Sequence, residues 1–157
     1  MKKILSVLCG FGLLSMVGCL KDTPNNDFST IGTIIEIPYS GLEYFASDAL
    51  NFTADTITLD FVVNVASVYP LGSDVNVTIG VDDAKRVSYN ATSAVIYDPM
   101  PASAYSLPVT TGVIKAGTRQ VSFSVTFYKA EIDPSQNVML PISITDASGN
   151  EISGNFG

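Results

Sequence analysis

Four segments of the chain alternate apolar and polar residues, and this period of two constrains the fold more than any other feature. The segments are residues 56–65, 74–82, 119–127 and 138–145. Successive side chains of a β-strand point to opposite faces of its sheet, so the alternation predicts strands with one buried and one solvated face. The apolar faces are predicted to hold Ile57, Leu59, Phe61, Val63, Val65, Val75, Val77, Ile79, Val81, Val121, Phe123, Val125, Phe127, Leu140, Ile142 and Ile144.

Shorter candidate strands complete a set of about seven, and turn-forming residues such as Pro70, Gly72 and Gly149 separate them. No segment of ten or more residues keeps a helical apolar stripe, and one helical turn at most is expected, at residues 83–87. This pattern predicts an all-β domain, an antiparallel immunoglobulin-like β-sandwich, with a closed barrel as the alternative. The shorter candidate strands are residues 32–37, 93–97, 112–115 and 151–156.

The amino terminus has a different composition from the rest of the chain. Lys2 and Lys3 precede residues 4–17, which carry no charge. This stretch is too short to span a bilayer as a helix, which needs about 20 residues. A basic start followed by an apolar stretch of this length is typical of a secretory signal peptide.

The signal peptide ends in a motif that predicts lipidation. Residues 15–19, Ser-Met-Val-Gly-Cys, resemble a lipobox, in which small residues precede the cysteine that becomes acylated. We therefore expect a lipoprotein signal peptide at residues 1–18 and lipidation of Cys19, which would attach the protein to the outer membrane with its domain facing the exterior. An ordinary signal peptide cut near Gly18 is the alternative.

Removal of this segment leaves a mature chain with a distinct charge and no reactive cysteine. Cys9 would be cleaved off and Cys19 acylated, so neither a disulfide nor thiolate catalysis is expected. Six basic and fifteen acidic residues would remain, a formal charge of −9. The densest basic cluster is Lys85-Arg86, so nucleic acid is not an expected partner.

The mature chain is predicted to have two parts. Residues 20–30 are polar, contain a proline and two adjacent asparagines, and show no periodicity. Together with the lipidated cysteine they are expected to form a tether at residues 19–30. One β-sandwich domain is expected at residues 31–157.

Motifs spread over several of the predicted strands carry a family resemblance. The chain resembles a Bacteroidetes surface-lipoprotein domain of unknown function, the amino-terminal module of glycan-binding proteins and chitinase-like endoglycosidases in polysaccharide-utilisation loci. The resemblance implies a β-sandwich spacer near the membrane, with ligand binding or catalysis in a following domain. The motifs are residues 63–71, 75–82, 89–90, 99–101, 104–107, 114–117 and 138–142.

The same family pattern extends into a last strand beyond residues 152–155. Two expectations follow for this chain. Either the sandwich closes without that strand and leaves an exposed edge that favours pairing with a partner, or the chain is truncated.

The residues give little support for an enzyme, a metal or a cofactor. The chain has no His, which excludes Ser-His-Asp and Cys-His systems and His-containing zinc sites. Asp146, Ser148 and Asn150 repeat the spacing of a calcium loop, but Glu151 stands where that loop needs Gly. Asp60, Asp82, Asp83 and Asp98 show no pattern that pairs two carboxyls as in a glycosidase. We expect no catalytic residue, no metal ligand and no cofactor.

Tyrosines are the remaining candidates for ligand contact, because a sugar can stack its C–H face on an aromatic ring. Tyr39, Tyr44 and Tyr69 lie at predicted strand ends or in loops, where the rim of a sandwich binds ligands. The alternative is that such tyrosines fill the core and place their hydroxyls on loop carbonyls. The chain has no Trp, the residue with the strongest stacking.

These observations predict a non-catalytic surface lipoprotein module that acts as an accessory or glycan-binding component of polysaccharide utilisation. Its expected partners are the membrane, through the lipid on Cys19, and a polysaccharide or a surface glycan-uptake protein. Two alternatives stay open: a fimbria-like or assembly subunit that uses an exposed β edge, and the truncated amino-terminal module of a surface glycosidase.

Overall fold

The computed structural model describes residues 32–38 and 53–154, all of which belong to the unit formed by residues 31–157. Cys19, Tyr39 and Tyr44 lie outside the described residues, as do the predicted signal peptide and tether. In the described part of the chain, no helix has both the length and the apolar character that crossing a membrane requires.

Strands dominate the described residues and confirm the predicted all-β, sandwich-like fold. They are joined by one α-helix and by short 3₁₀ turns at Ala102–Ala104 and Lys129–Glu131. In chain order the elements are β1 (Ile34–Glu36), β2 (Thr56–Ala66), β3 (Val75–Val81), α1 (Asp83–Asn90), β4 (Asp98–Pro99), β5 (Tyr105–Ser106), β6 (Thr111–Ile114), β7 (Gln120–Tyr128), β8 (Val138–Met139), β9 (Ile142–Asp146) and β10 (Glu151–Ile152).

The strands form three sheets. The largest has the order β10-β1-β2-β7-β5, the second β6-β3-β9, and the third pairs β4 with β8. The long antiparallel pair of β2 and β7 runs from Thr56 opposite Tyr128 to Asn64 opposite Gln120. Two pairs, β1 with β10 and β4 with β8, are parallel, so the largest sheet is mixed and the two-stranded sheet is parallel where an antiparallel arrangement was predicted. The three-stranded sheet is antiparallel, as predicted.

The main core lies between the two larger sheets. Val63 and Val65 of β2 are buried together with Val77 and Ile79 of β3, and Ile35 of β1 is fully buried. The alternation predicts this inward face because every second residue of each strand meets the opposite sheet. A second cluster contains Met100, Ala104, Val125 and Phe127.

Inward burial does not extend along the whole of each predicted face. Ile57 and Leu59, near the start of β2, are only partly buried. Val81 was predicted to be inward, but it is 45% exposed. It ends β3 directly before the residues that begin α1, so no opposing sheet covers it.

One predicted strand is wrong, and another is divided in two. Residues 93–97 form a loop, in which the Asn90 side chain accepts from Tyr97 N at 3.0 Å and donates to Tyr97 O at 2.8 Å. These side-chain bonds occupy the backbone groups that a strand ladder would need. Residues 138–145 form two strands, β8 and β9, in different sheets. Pro141 separates them, and a proline has no backbone N–H for a ladder.

The predicted helical turn is a longer helix, α1. Asp82 caps its amino terminus by accepting from Ala84 N at 3.2 Å, and an acidic residue, Asp83, lies in its first turn. Arg86 pairs with Asp83 at 2.6 Å. These local interactions support eight helical residues without any buried side chain.

Candidate functional site

A cleft of about 410 Å³ opens at the end of the sandwich where β2 ends and β3 begins. The loop between these strands supplies most of its wall, from Ser67 to Asp74. Thr33, before β1, and Ser148 and Asn150, in the turn between β9 and β10, complete the lining. Ligand sites in proteins commonly have volumes of roughly 300–1,000 Å³, so the cleft can accommodate a small ligand.

Backbone contacts with the β6–β7 turn hold the β2–β3 loop in place. Arg119 donates from Nη1 to Ser67 O at 2.8 Å and to Val65 O at 3.4 Å. Gly117 N donates to Leu71 O at 3.0 Å, where Gly117 has a φ of 78° that favours glycine. The loop is therefore fixed at both ends and near its middle before any ligand binds.

Asp74 is the one carboxylate in the lining of the cleft. Lys115 donates from Nζ to Oδ2 at 2.8 Å, and Ala116 N donates to Oδ1 at 2.9 Å. The hydrogen bond from Lys115, followed by that from Ala116, holds the pKa of Asp74 below its ordinary value. Asp74 is therefore ionised at neutral pH, and its charge is paired with that of Lys115.

The opposite wall is the turn that resembled part of a calcium loop. Ser148 has a φ of 52° and donates from Oγ to Asn76 O at 3.0 Å. Asn150 donates from Nδ2 to Ala147 O at 2.8 Å. These side chains serve the turn itself. Within residues 32–38 and 53–154, no group of three or more His, Cys, Asp or Glu side chains is placed to hold a metal ion.

Tyr69 is the only one of the three predicted ligand-contacting tyrosines that lies within the described residues. It stands on the rim of the cleft with its side chain 68% exposed, so it does not fill the core. The Ser67 hydroxyl donates to the Tyr69 carbonyl, which fixes the backbone of this residue.

None of the acids that were considered for catalysis lines the cleft. Ser124 donates to Asp60 at 2.6 Å on the exposed face of the β2–β7 pair. The pKa of Asp83 is lowered by its hydrogen bond with Arg86, whose charge also interacts with Asp98. Outside this set of acids, hydrogen bonds from Ser135 lower the pKa of Asp133. A glycosidase acid needs a raised pKa, which is the opposite direction.

Sequence reasoning found Tyr69 but not the rest of the cleft. Asp74 was predicted to begin a strand, and Ser148 and Asn150 were considered only for a calcium loop. Nothing in the sequence relates position 69 to position 148. The order of the strands brings them together. The only available signal was the turn composition of residues 69–74 between two strongly alternating strands.

Comparison with protein families gives a clear assignment. The model of a family described as "-like, N-terminal domain" matches residues 39–151, which is more than half of the chain. The chain belongs to this family. The membership agrees with the predicted resemblance to an amino-terminal module, and no curated protein matches this N-terminal domain.

Three solved structures from Bacteroides ovatus share the fold of this N-terminal domain. A protein of unknown function is 22% identical with a TM-score of 0.55, and covers 60% of this chain and 32% of its own. A protein proposed to bind carbohydrate is 21% identical with a TM-score of 0.55, with coverages of 66% and 30%. A multidomain protein including DUF1735 is 19% identical with a TM-score of 0.59, with coverages of 76% and 43%.

These neighbours confirm the resemblance to a Bacteroidetes domain module. The match covers only about a third to two fifths of each neighbour's length. It therefore concerns a module found within larger proteins.

Proposed function

We propose that this domain is a non-catalytic accessory module of glycan capture, carried by a lipid-anchored protein of the outer membrane. The observation that carries the proposal is the fold shared with the Bacteroides ovatus protein proposed to bind carbohydrate. The cleft supports it, because a fixed loop presents an exposed tyrosine beside polar groups. Its partners would be a polysaccharide or a surface protein that takes up glycans.

Glycan binding is tested by affinity electrophoresis of the mature chain through gels that contain one polysaccharide each. Slower migration in at least one gel, relative to a gel without polysaccharide, is the expected result. A non-binding protein of similar size and charge serves as the reference for sieving. Unchanged migration on every polysaccharide would contradict direct glycan binding.

Lipid anchoring at Cys19 is tested with two matched cysteine variants. Cys19→Ala should leave the protein without acyl label and release it from the membrane fraction, because the acceptor thiol is gone. Cys9→Ala should keep both the label and the membrane location, since that residue lies within the predicted signal peptide. A Cys19→Ala protein that is still acylated and still recovered with membranes would refute the anchor. Protease treatment of intact cells then reports whether the domain faces the exterior.

The absence of catalysis in this proposal has physical support in the acids. The pKa shifts of Asp74, Asp83 and Asp133 are all downward, which stabilises the carboxylate and opposes proton donation. The chain also has no His. Incubation with bound polysaccharides should release no new reducing ends, and time-dependent release would overturn this part of the proposal.

An assembly subunit is a second candidate, favoured by the edges of the three-stranded sheet. Strands β6 and β9 are the outer strands of that sheet, and an outer strand has backbone groups available for pairing with another chain. Val113 of β6 is 38% exposed beside them. Light scattering across a concentration series separates the two candidates, because a strictly monomeric protein argues against assembly through an edge.

A further inference from the structure

The cleft beside Tyr69 combines a stacking surface with a set of hydrogen-bond acceptors. The ring of Tyr69 is largely exposed, and in the described part of the chain its hydroxyl makes no hydrogen bond. An aromatic ring that is already exposed on a fixed loop offers contact area at a small entropic cost. The apolar face of a sugar ring fits such a surface.

Two polar groups of the cleft, the Asp74 carboxylate and the Ser148 hydroxyl, have acceptor capacity left. Each oxygen of Asp74 accepts one bond, from Lys115 or from Ala116, and retains capacity for a second. The hydroxyl of Ser148 uses its proton on Asn76 O and keeps its lone pairs. Hydroxyl groups, which donate, are the natural partners of these acceptors.

Charge further narrows the class of ligand. Asp74 stays ionised, and its charge is balanced by Lys115, whose Nζ lies 2.8 Å from Oδ2. An ionised carboxylate or sulfate group on a ligand has no proton to donate to Asp74 and would have to compete with it for Lys115. The hydroxyl groups of a neutral polyol can donate to Asp74 without disturbing this ion pair.

We propose that this cleft binds one neutral sugar ring, stacked on Tyr69 and donating hydroxyl hydrogen bonds to Asp74, and that it disfavours uronic or sulfated glycans. The inference rests on the proposed glycan role and names its site and its class of ligand. Arg119 and Gly117 hold the β2–β3 loop, so the backbone of Tyr69 keeps its placement relative to Asp74 without a ligand.

The experiment compares three tyrosine variants on matched polysaccharides. Neutral β-glucan, mannan and xylan are run beside acidic polygalacturonate and chondroitin sulfate in affinity gels. Tyr69→Ala should weaken binding to the neutral polymer by about tenfold, since an aromatic contact contributes roughly 0.5–1.5 kcal/mol beyond its buried area. Tyr69→Phe keeps the aromatic ring, so its affinity for the neutral polymer should fall less than that of Tyr69→Ala.

Tyr89→Ala is the matched control, because Tyr89 is also an exposed aromatic residue but lies in α1, beyond the far end of β3. Six residue steps along β3, at about 3.3 Å each, separate the two ends of that strand by roughly 20 Å. This variant should bind like the unmodified protein. Thermal unfolding of all three variants confirms that they are folded.

The outcomes distinguish this inference from the glycan role itself. If the protein binds a neutral polymer and Tyr69→Ala does not change that binding, the glycan role stands but the cleft is not its binding site. Stronger binding to the acidic polymers would overturn the proposed class of ligand. No binding to any polymer would overturn both. As a second readout, a neutral oligosaccharide should shift the backbone amide NMR signals of residues 67–75 and 148–150, and shifts confined elsewhere would place binding outside the cleft.

Discussion

Gly112 marks a close approach of β6 to β7 in the other sheet, and Gly112→Ala tests the packing there. Gly112 pairs with Val77 of β3 and faces β7 across the core. A Cβ at this position would lie 2.9 Å from Val121 Cγ2 and 3.0 Å from Phe123 Cζ. Carbon atoms in contact prefer separations of roughly 3.5–4.0 Å, so the sheets or these side chains must move.

The cost of Gly112→Ala is the balance of two effects. Overpacking a well-packed core typically costs about 1–3 kcal/mol. Replacing glycine also removes conformations from the unfolded chain, which stabilises by about 0.4–1 kcal/mol where the backbone is compatible. The expected net loss is roughly 1–2 kcal/mol, a fall in Tm of roughly 3–10 °C for a domain of this size.

Urea unfolding and thermal melts measure this loss, with two further variants as controls. Gly72→Ala should be neutral or slightly stabilising, because nothing lies within 4 Å of its Cβ position. In the double variant Gly112→Ala, Val121→Ala, the nearest obstructing methyl groups are gone, so the combined loss should be smaller than the sum of the single losses. A Gly112→Ala protein as stable as the unmodified chain, or strictly additive losses, would refute the close approach.

Three more predictions address the core, the loop after α1 and the anchor of the cleft loop. Ile35→Ala should cost about 2–5 kcal/mol in urea unfolding, because the side chain is fully buried, and a loss below about 1 kcal/mol would be inconsistent with that position. Asn90→Ala removes both side-chain bonds to Tyr97, so amide exchange at Tyr97 should accelerate; unchanged exchange would show that these bonds do not order the loop. Because the folded-state pKa of Asp74 lies below its ordinary value of 3.8, the stability supplied by its charge is present above that value and is lost as the pH falls through the lowered pKa. The difference in Tm between the unmodified protein and Asp74→Asn should therefore be largest near neutral pH and should disappear in acid. A difference that is constant down to pH ~2 would show that the charge of Asp74 is not its cause.

The sequence was sufficient to predict the strands that carry long alternation. Strands β2, β3 and β7 lie within a residue of their predicted limits, because five or more alternating positions define both the strand and its inward face. The prediction was weaker where neighbours in space decide the structure. Strands of two residues, such as β4 and β5, have no periodicity to detect and exist only because β8 and β7 lie beside them.

The loop at residues 93–97 and the cleft both show what prediction from the local sequence pattern misses. In the loop, β-branched residues suggested a strand, but the Asn90 side chain forms hydrogen bonds with the backbone N–H and C=O of Tyr97 in place of a neighbouring strand. In the cleft, Tyr69 was predicted because it is an aromatic residue in a turn. The Asp74 carboxylate is held in place by hydrogen bonds from Lys115 and Ala116, about forty positions away in the sequence. Contacts between residues so far apart in the sequence depend on the order of the strands in the sheets, and the local sequence pattern does not reveal that order.

The parallel pairing of β1 with β10 has a mechanical consequence. Both strands run in the same direction, with Ile34 beside Glu151 and Ile35 beside Ile152. A pull applied through the chain before β1 and after β10 would slide these neighbouring strands along each other and load their hydrogen bonds together. In an antiparallel pair whose two strands are pulled at the same end of the pair, the hydrogen bonds would instead break one at a time. Single-molecule stretching should therefore show a distinct force peak when this pair ruptures.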